Sequence, residues 1–286
     1  MLKLMKQARA ALSLMSADEI QKQAKQPLHF GLVADGSSAY AEMEEFLVPR
    51  GLPREEWRQR ISQVHRANDS DVPSQVDIVL YEPGLPCPSG SYTFHRGHPE
   101  QTVEEVLADK GDLALALARQ FQPFRRPVVE GIIHEVSREN ALFAVTTALP
   151  NVIPNFIELP WAFGEFASDT AFLTANQVRM AFKIAAACGK DVGLSHQKGA
   201  VAGIAAGAFG WRALARELAG KIPLGGGLIP KGAIAYAGTY LAGKGLEMAH
   251  LYDGQPTAQD REQYYREGLE HGRNFARNLK PGNAPA

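Results

Sequence analysis

Cysteine is nearly absent from this chain. Cys87 and Cys188 are the only two in 286 residues, and they lie on distant segments. A disulfide framework needs more, so reduced thiols on the cytoplasmic side are expected and secretion is not. The segment from Met1 to Gln26 carries Lys3, Lys6 and Arg9 among Leu, Met and Ala, but no long apolar core, so it does not read as a signal peptide. Zinc-ligand spacing is missing too: His95 and His98 stand three apart beside turn residues, without a second pair. Neither sign of charge dominates. The net charge is −1; residues 1–139 carry 16 Lys/Arg and 20 Asp/Glu, and residues 140–286 carry 14 and 11. Nucleic-acid binding needs a concentrated basic stripe, so no nucleic-acid partner is expected. Gly-x-Ser-x-Gly and Asn-Lys-x-Asp do not occur, and the hydroxyls, Cys87 and eight histidines form no catalytic constellation. The sequence leans away from an enzyme, and no cofactor or metal is expected.

What is present divides the chain. Leu2, Leu4, Met5, Ala8, Leu12 and Met15 are spaced as one face of an amphipathic helix, which Pro27 ends. That face suits packing on its own domain, or a membrane surface. His29 to Ala34 is a short apolar run that predicts a buried strand. The turn Asp35-Gly36-Ser37-Ser38 follows, with the serines as caps for a helix from Ala39 to Leu47. Arg54 to Arg66 predicts a charged, exposed helix, and Val76 to Tyr81 a second strand. Residues 83–99 hold four prolines and three glycines and predict a loop. Gln101 to Phe121 predicts one helix.

Beyond Pro127 the pattern turns helical. Helices are expected over Val128 to Ala148, within Leu159 to Cys188, over Gly199 to Leu218 and over Pro230 to His250. The charged stretch Thr257 to Leu279 predicts a solvated helix. Alanine and glycine dominate this half, which suits helices whose backbones approach closely. The fold class expected is α+β, mostly α: a small α/β N-terminal region with few strands over 1–126, an Ala/Gly-rich helical domain over 127–252, and a charged helix and tail over 253–286.

The strand–turn–helix at Phe30 to Leu47 stands where a phosphate-binding loop would. Such a loop needs Gly-x-x-x-x-Gly-Lys-Ser/Thr, so that amides cradle phosphate, lysine reaches its terminus and a hydroxyl holds magnesium. Here Gly36 is the only glycine, the lysine is missing, and Asp35 adds negative charge. Glu82-Pro83-Gly84, after the second strand, is a loose echo of Asp-x-x-Gly with the wrong spacing. Asp35, Gly36, Ser37, Ser38 and Glu82 are thus a candidate nucleotide remnant, with loop capping the simpler role for Glu82. His134 has Glu130 and Arg138 one turn away on either side, a charge ladder that explains it without catalysis.

Asn140 to Ile157 and Gly199 to Trp211 contain no charge, and Ile222 to Gly243 contains only Lys231. Pro150, Pro154, the triple glycine at 225–227 and Pro230 cut them short of simple spanning helices. A buried soluble bundle and a membrane-embedded or interfacial bundle both fit. Gly203-x-x-x-Gly207 offers a face for close packing, and with it a possible homo-oligomer.

The runs ALPNVIP (148–154), LTANQVRMAFKIAAACG (173–189) and GAFGWRALARELAGKIPLGGGLIPKGAIAYAGTYLAGKGLE (207–247) resemble the bacterial family catalogued as domain of unknown function 697. The likeness covers about 110 residues, and Asn-Gln-x-Arg-Met and Gly-Trp-Arg-Ala-Leu-Ala-Arg are its most specific parts. The resemblance implies a helical, membrane-associated domain of the kind that follows a small Ras-like GTPase domain. It marks Asn176, Gln177, Arg179, Trp211, Arg212 and Arg216 as candidate contact residues. It also recasts the N-terminal half as a degenerate GTPase-like module. The expected function is a non-catalytic interaction or membrane-associated protein, with a membrane surface or membrane protein as partner. The alternatives are a divergent nucleotide hydrolase and a soluble self-associating bundle.

Overall fold

The computed structural model describes residues 17–67, 69, 76–146, 169–193, 195–204 and 228–279. The fold is α+β and mostly α. Helices α1 (Ala17–Ala24), α2 (Ser37–Leu47), α3 (Arg54–Ile61), α4 (Pro99–Asp109), α5 (Ala114–Gln120), α6 (Gln122–Thr146), α7 (Asp169–Ala187), α8 (Leu228–Leu251) and α9 (Ala258–Asn278) accompany strands β1 (Phe30–Val33), β2 (Val64–Arg66), β3 (Ile78–Tyr81) and β4 (Tyr92–Thr93). These fall into two compact units. One spans Gln21–Val129 with Ala186–Lys190; the other holds the described residues of Met1–Ile20, Glu130–Ala185 and Asp191–Ala286.

The first unit is built on a parallel sheet of order β2-β1-β3-β4. Phe30-Gly31-Leu32-Val33 has few polar atoms beyond its backbone, so it takes a central position with partners on both edges. Alternation along each strand sends Phe30, Leu32, Val64, Ile78, Leu80 and Tyr92 to one face, all buried. There they meet Tyr40, Met43 and Leu47 of α2, Val103 and Val106 of α4, and Leu117, Phe121 and Phe124 from α5 and α6. Phe30 packs edge-on against Phe121, ring centroids 4.7 Å apart. Each such side chain contributes roughly 1.5–3 kcal/mol by leaving water. The opposite face is thinner: Val33, His65, Val79, Tyr81 and Thr93 are only half-buried. Val76 lies over Gly31 there, 3.3 Å from where a Cβ would stand.

The structure corrects several expectations in this unit. The helix from Arg54 ends at Ile61, and Val64 to Arg66 is strand. Val64 buries its side chain and enters the ladder beside Phe30, whose N–H donates to Gln63 O at 2.9 Å; tertiary pairing outweighs helix propensity. The loop over 83–99 contains β4. Gln101 to Phe121 is not one helix: Lys110 leaves helical geometry before Gly111, and a 3-10 turn at Gly111–Leu113 separates α4 from α5. Ser37 and Ser38 are not caps. Gly36 is the N-cap residue of α2, without a side-chain cap bond, and the serines begin its first turn.

The second unit is helical. Glycines set how closely its helices pack. On α8, Gly243 lies against Ile133 of α6 and Gly232 against Val145. On α9, Gly268 and Gly272 lie against Ala237 and Ala233 of α8. The helix expected to be solvated therefore buries one face, through Gly268, Gly272 and Ala276. A reciprocal capping box opens α9: Thr257 Oγ1 accepts from Asp260 N at 3.1 Å, and Asp260 Oδ2 accepts from Thr257 N at 2.8 Å. Among the described residues, no helix is long and apolar enough to cross a membrane.

Candidate functional site

In an open parallel sheet, ligands bind beyond the carboxyl ends of the strands where the strand order reverses. Here the chain leaves β1 for β2 on one side and returns to β3 on the other, so that point lies between β1 and β3. Asp35, Gly36, Ser37 and Ser38 follow β1, and Glu82 follows β3. The fold thus gathers all five residues of the candidate nucleotide remnant at one edge. Asp35 N donates to Glu82 Oε2 at 3.0 Å. Arg96, beyond β4, pairs through Nε with Glu42 Oε2 at 2.6 Å and reaches Glu82 Oε1 at 3.8 Å. Glu82 caps the loop amide with an internal carboxylate. Nothing lies within 4 Å of where a Cβ on Gly36 would stand. Next to this edge, Arg66 forms a two-point pair with Glu44 at 2.6 and 2.9 Å and lies over the Tyr40 ring.

The second cluster crosses the helical unit from α6 through α7 to α8. Asn140 Nδ2 donates to Thr239 Oγ1 at 2.8 Å, and Thr239 Oγ1 donates to Ala235 O at 3.0 Å. Asn176 Nδ2 donates to Asn140 Oδ1 at 3.0 Å and to Glu139 Oε2 at 3.1 Å. Gln177 Nε2 reaches Thr239 Oγ1 at 3.4 Å. Arg179 forms an ion pair with Glu139, and Lys183 pairs with Glu135 at 3.1 Å. Burial pushes the Glu139 carboxyl above its ordinary range, against the pull of Arg179. Asn176, Gln177 and Arg179 therefore meet partners within the unit. Sequence reasoning missed Glu139, Asn140 and Thr239. Trp211, Arg212 and Arg216 lie outside the described residues, as does Gly207; Gly203 is exposed.

A third cluster joins α6, α8 and α9. His134 has a partner besides its charge ladder: Nδ1 meets the hydroxyl of buried Tyr236 at 2.6 Å. Burial raises the Tyr236 hydroxyl's pKa and keeps it protonated, so it shares one hydrogen bond with the His134 ring. The rings of Tyr240 and His271 stand 5.4 and 5.2 Å from His134. Burial first, then His271, Arg138 and Lys244, hold His134 below its ordinary 6.5, while Glu130 opposes them. A histidine depressed in the folded state contributes stability that is present above the unfolded pKa and lost as pH falls through the folded one. The helical unit is therefore expected to hold its stability above about pH 6.5 and to lose it below. Melting curves across pH 4.5–8 check this. The acid limb flattens in His134→Gln, whose amide can still hydrogen-bond the Tyr236 hydroxyl and does not titrate; an unchanged limb would reject the assignment.

Among the described residues, no group of three His, Cys, Asp or Glu side chains is arranged to hold a metal ion. Comparison of the chain with family models, curated proteins and solved structures found no match.

Proposed function

We propose that this chain is a non-catalytic interaction protein. Its α/β unit is a fixed docking platform derived from a GTPase-like module. Its helical unit, of the kind found in the family it resembles, works by packing against a membrane surface or a membrane protein. The observation carrying the reading is the carboxylate of Glu82 on the Asp35 amide. A phosphate entering there must displace a tethered anion, then sit among Asp35, Glu42 and Glu82 with Arg96 already shared between two of them. Each carboxylate about 5 Å from a phosphate charge opposes binding by roughly 3 kcal/mol at an effective dielectric near 20. No lysine stands in the turn to offset this.

Two measurements test it. Titration calorimetry with GTP and ATP in magnesium should give no binding that depends on the turn. Micromolar affinity lost in Asp35→Ala or Ser37→Ala would overturn the non-catalytic reading in favour of a divergent nucleotide hydrolase. Fractionation of cells with a carbonate wash tests the partner. Membrane-bound protein released by the wash supports a peripheral association; full recovery in the soluble fraction would sink it and leave a self-associating bundle.

A further inference from the structure

Two histidines meet on the thinner face of the sheet. His29 stands immediately before β1, and His65 is the middle residue of β2. In the parallel register His65 lies opposite Gly31. Gly31 has no side chain, and the ring of His29, two residues earlier on the same face, reaches across to His65. His29 Nδ1 and His65 Nε2 stand 3.0 Å apart, with ring centroids at 5.2 Å and ring planes at 32°. Both side chains are half-buried, which leaves room for water beside them. A carboxylate is close: Asp77 Oδ2 accepts from the His29 backbone N–H at 2.8 Å. The nearest cation in sequence points away. Arg66 projects from the other face of β2, where Glu44 holds it at two points. The strand itself is weakly anchored: β2 is an edge strand of three residues, and Val64 is its one buried side chain.

Two ring nitrogens this close have two uses. As neutral imidazoles they share one hydrogen bond, one ring donating and the other accepting. The same spacing suits a metal ion. Metal–imidazole bonds are about 2.0–2.1 Å long, so two nitrogens on one ion, at angles between about 90° and 110°, stand roughly 2.9–3.4 Å apart. Imidazole suits zinc, copper and nickel rather than magnesium or calcium. The ring that donates in the hydrogen bond moves its proton to its other nitrogen, and both lone pairs then converge on the ion without net loss of a proton. We propose that His29 Nδ1 and His65 Nε2 are the protein ligands of a divalent transition-metal ion of the zinc class, which fastens β2 to β1. Water completes the coordination, and the Asp77 carboxylate adds negative charge behind His29. Two protein ligands with water make an open, exchangeable site, unlike a closed structural one. The site does not rest on the platform reading.

The test uses the full chain, stripped of metal with a chelator. Zinc chloride titrated by calorimetry should bind at micromolar strength, and magnesium chloride should not. His29→Gln and His65→Gln should each weaken zinc binding by roughly 10-fold or more, since each removes one of the two protein ligands. Glutamine keeps a hydrogen-bonding group across the pair, so both variants should fold, and melting curves without zinc check this. His98→Gln is the control for adventitious binding to exposed histidines and should bind zinc as the wild type does. Zinc should raise the melting midpoint of the wild type and of His98→Gln, but of neither variant at the pair. Copper(II) reports the ligands directly: its paramagnetic resonance spectrum should show two nitrogen donors in the wild type and one in either variant. No zinc binding in the wild type, or zinc affinity and copper spectra unchanged in both variants, overturns the proposal. A wild-type copper spectrum with fewer than two nitrogen donors overturns it without recourse to any variant. Nucleotide binding lost in Asp35→Ala would sink the platform reading and leave the zinc result unchanged, so the two fail separately.

Discussion

Arg179→Ala is expected to destabilise the helical unit by about 3–5 kcal/mol, the usual cost of stranding one member of a buried ion pair. Glu139 would remain, its side chain 24% exposed, with Asn176 still bonded to it and Lys183 paired with Glu135. Because the chain has two units, the loss is best read by hydrogen exchange at α6 and α8 under increasing urea, rather than from a single melting midpoint. The pair Arg179→Met with Glu139→Leu should recover most of the loss, since replacing both partners removes the stranded charge. A single-variant cost under about 1 kcal/mol would place the bridge with ordinary surface pairs.

Gly272→Val is the second large effect. A Cβ on Gly272 would stand 2.7 Å from Tyr236 Cβ, 2.8 Å from Ala233 Cα and 3.0 Å from Ala233 O. Two of these three atoms are backbone and have no rotamer to escape to, so α9 must lift from α8. Overpacking of this kind costs about 3 kcal/mol or more, and near 2–4 °C of melting temperature per kcal/mol the unit should melt roughly 6–12 °C lower. Gly245 on α8 is the control. Nothing lies within 4 Å of its missing Cβ, so Gly245→Ala should stabilise by about 0.5–1 kcal/mol through helix propensity alone. Equal effects at the two positions would mean that α9 does not pack through its glycines.

These two sites differ in how far the sequence reveals them. Gly268 and Gly272 are four apart, and Ala276 continues the row. The charges of α9 on its other faces hid that row, because a highly charged helix reads as solvated. The network around Glu139 was harder to see. Its polar members lie 36 and 99 residues apart at Asn140, Asn176 and Thr239, and no local spacing links them. Strands β1 and β3 were legible because unbroken apolar runs end at turn residues. Strand β2 was not: of Val64, His65 and Arg66, one residue is apolar, and the segment continues a charged helical pattern. The two-residue β4 is too short for any periodicity. Asp35 and Glu82 could be named from the ends of their strands. That one caps the other depends on β1 and β3 being neighbours, which only the strand order settles.

The polar layer between α6, α7 and α8 also carries information that the apolar surfaces around it lack. A helix face of alanine and glycine looks much the same after a shift of one turn, about 5.4 Å along the axis. Such faces give close contact but do not choose among neighbouring alignments. Moving α7 one turn past α6 would bring Phe172 or Met180 to the place of Asn176, and Asn140 would lose its amide partner. Only one alignment satisfies the polar groups of the layer at once. In this unit the small residues decide how near the helices come, and the few buried polar groups decide where along their length they stop.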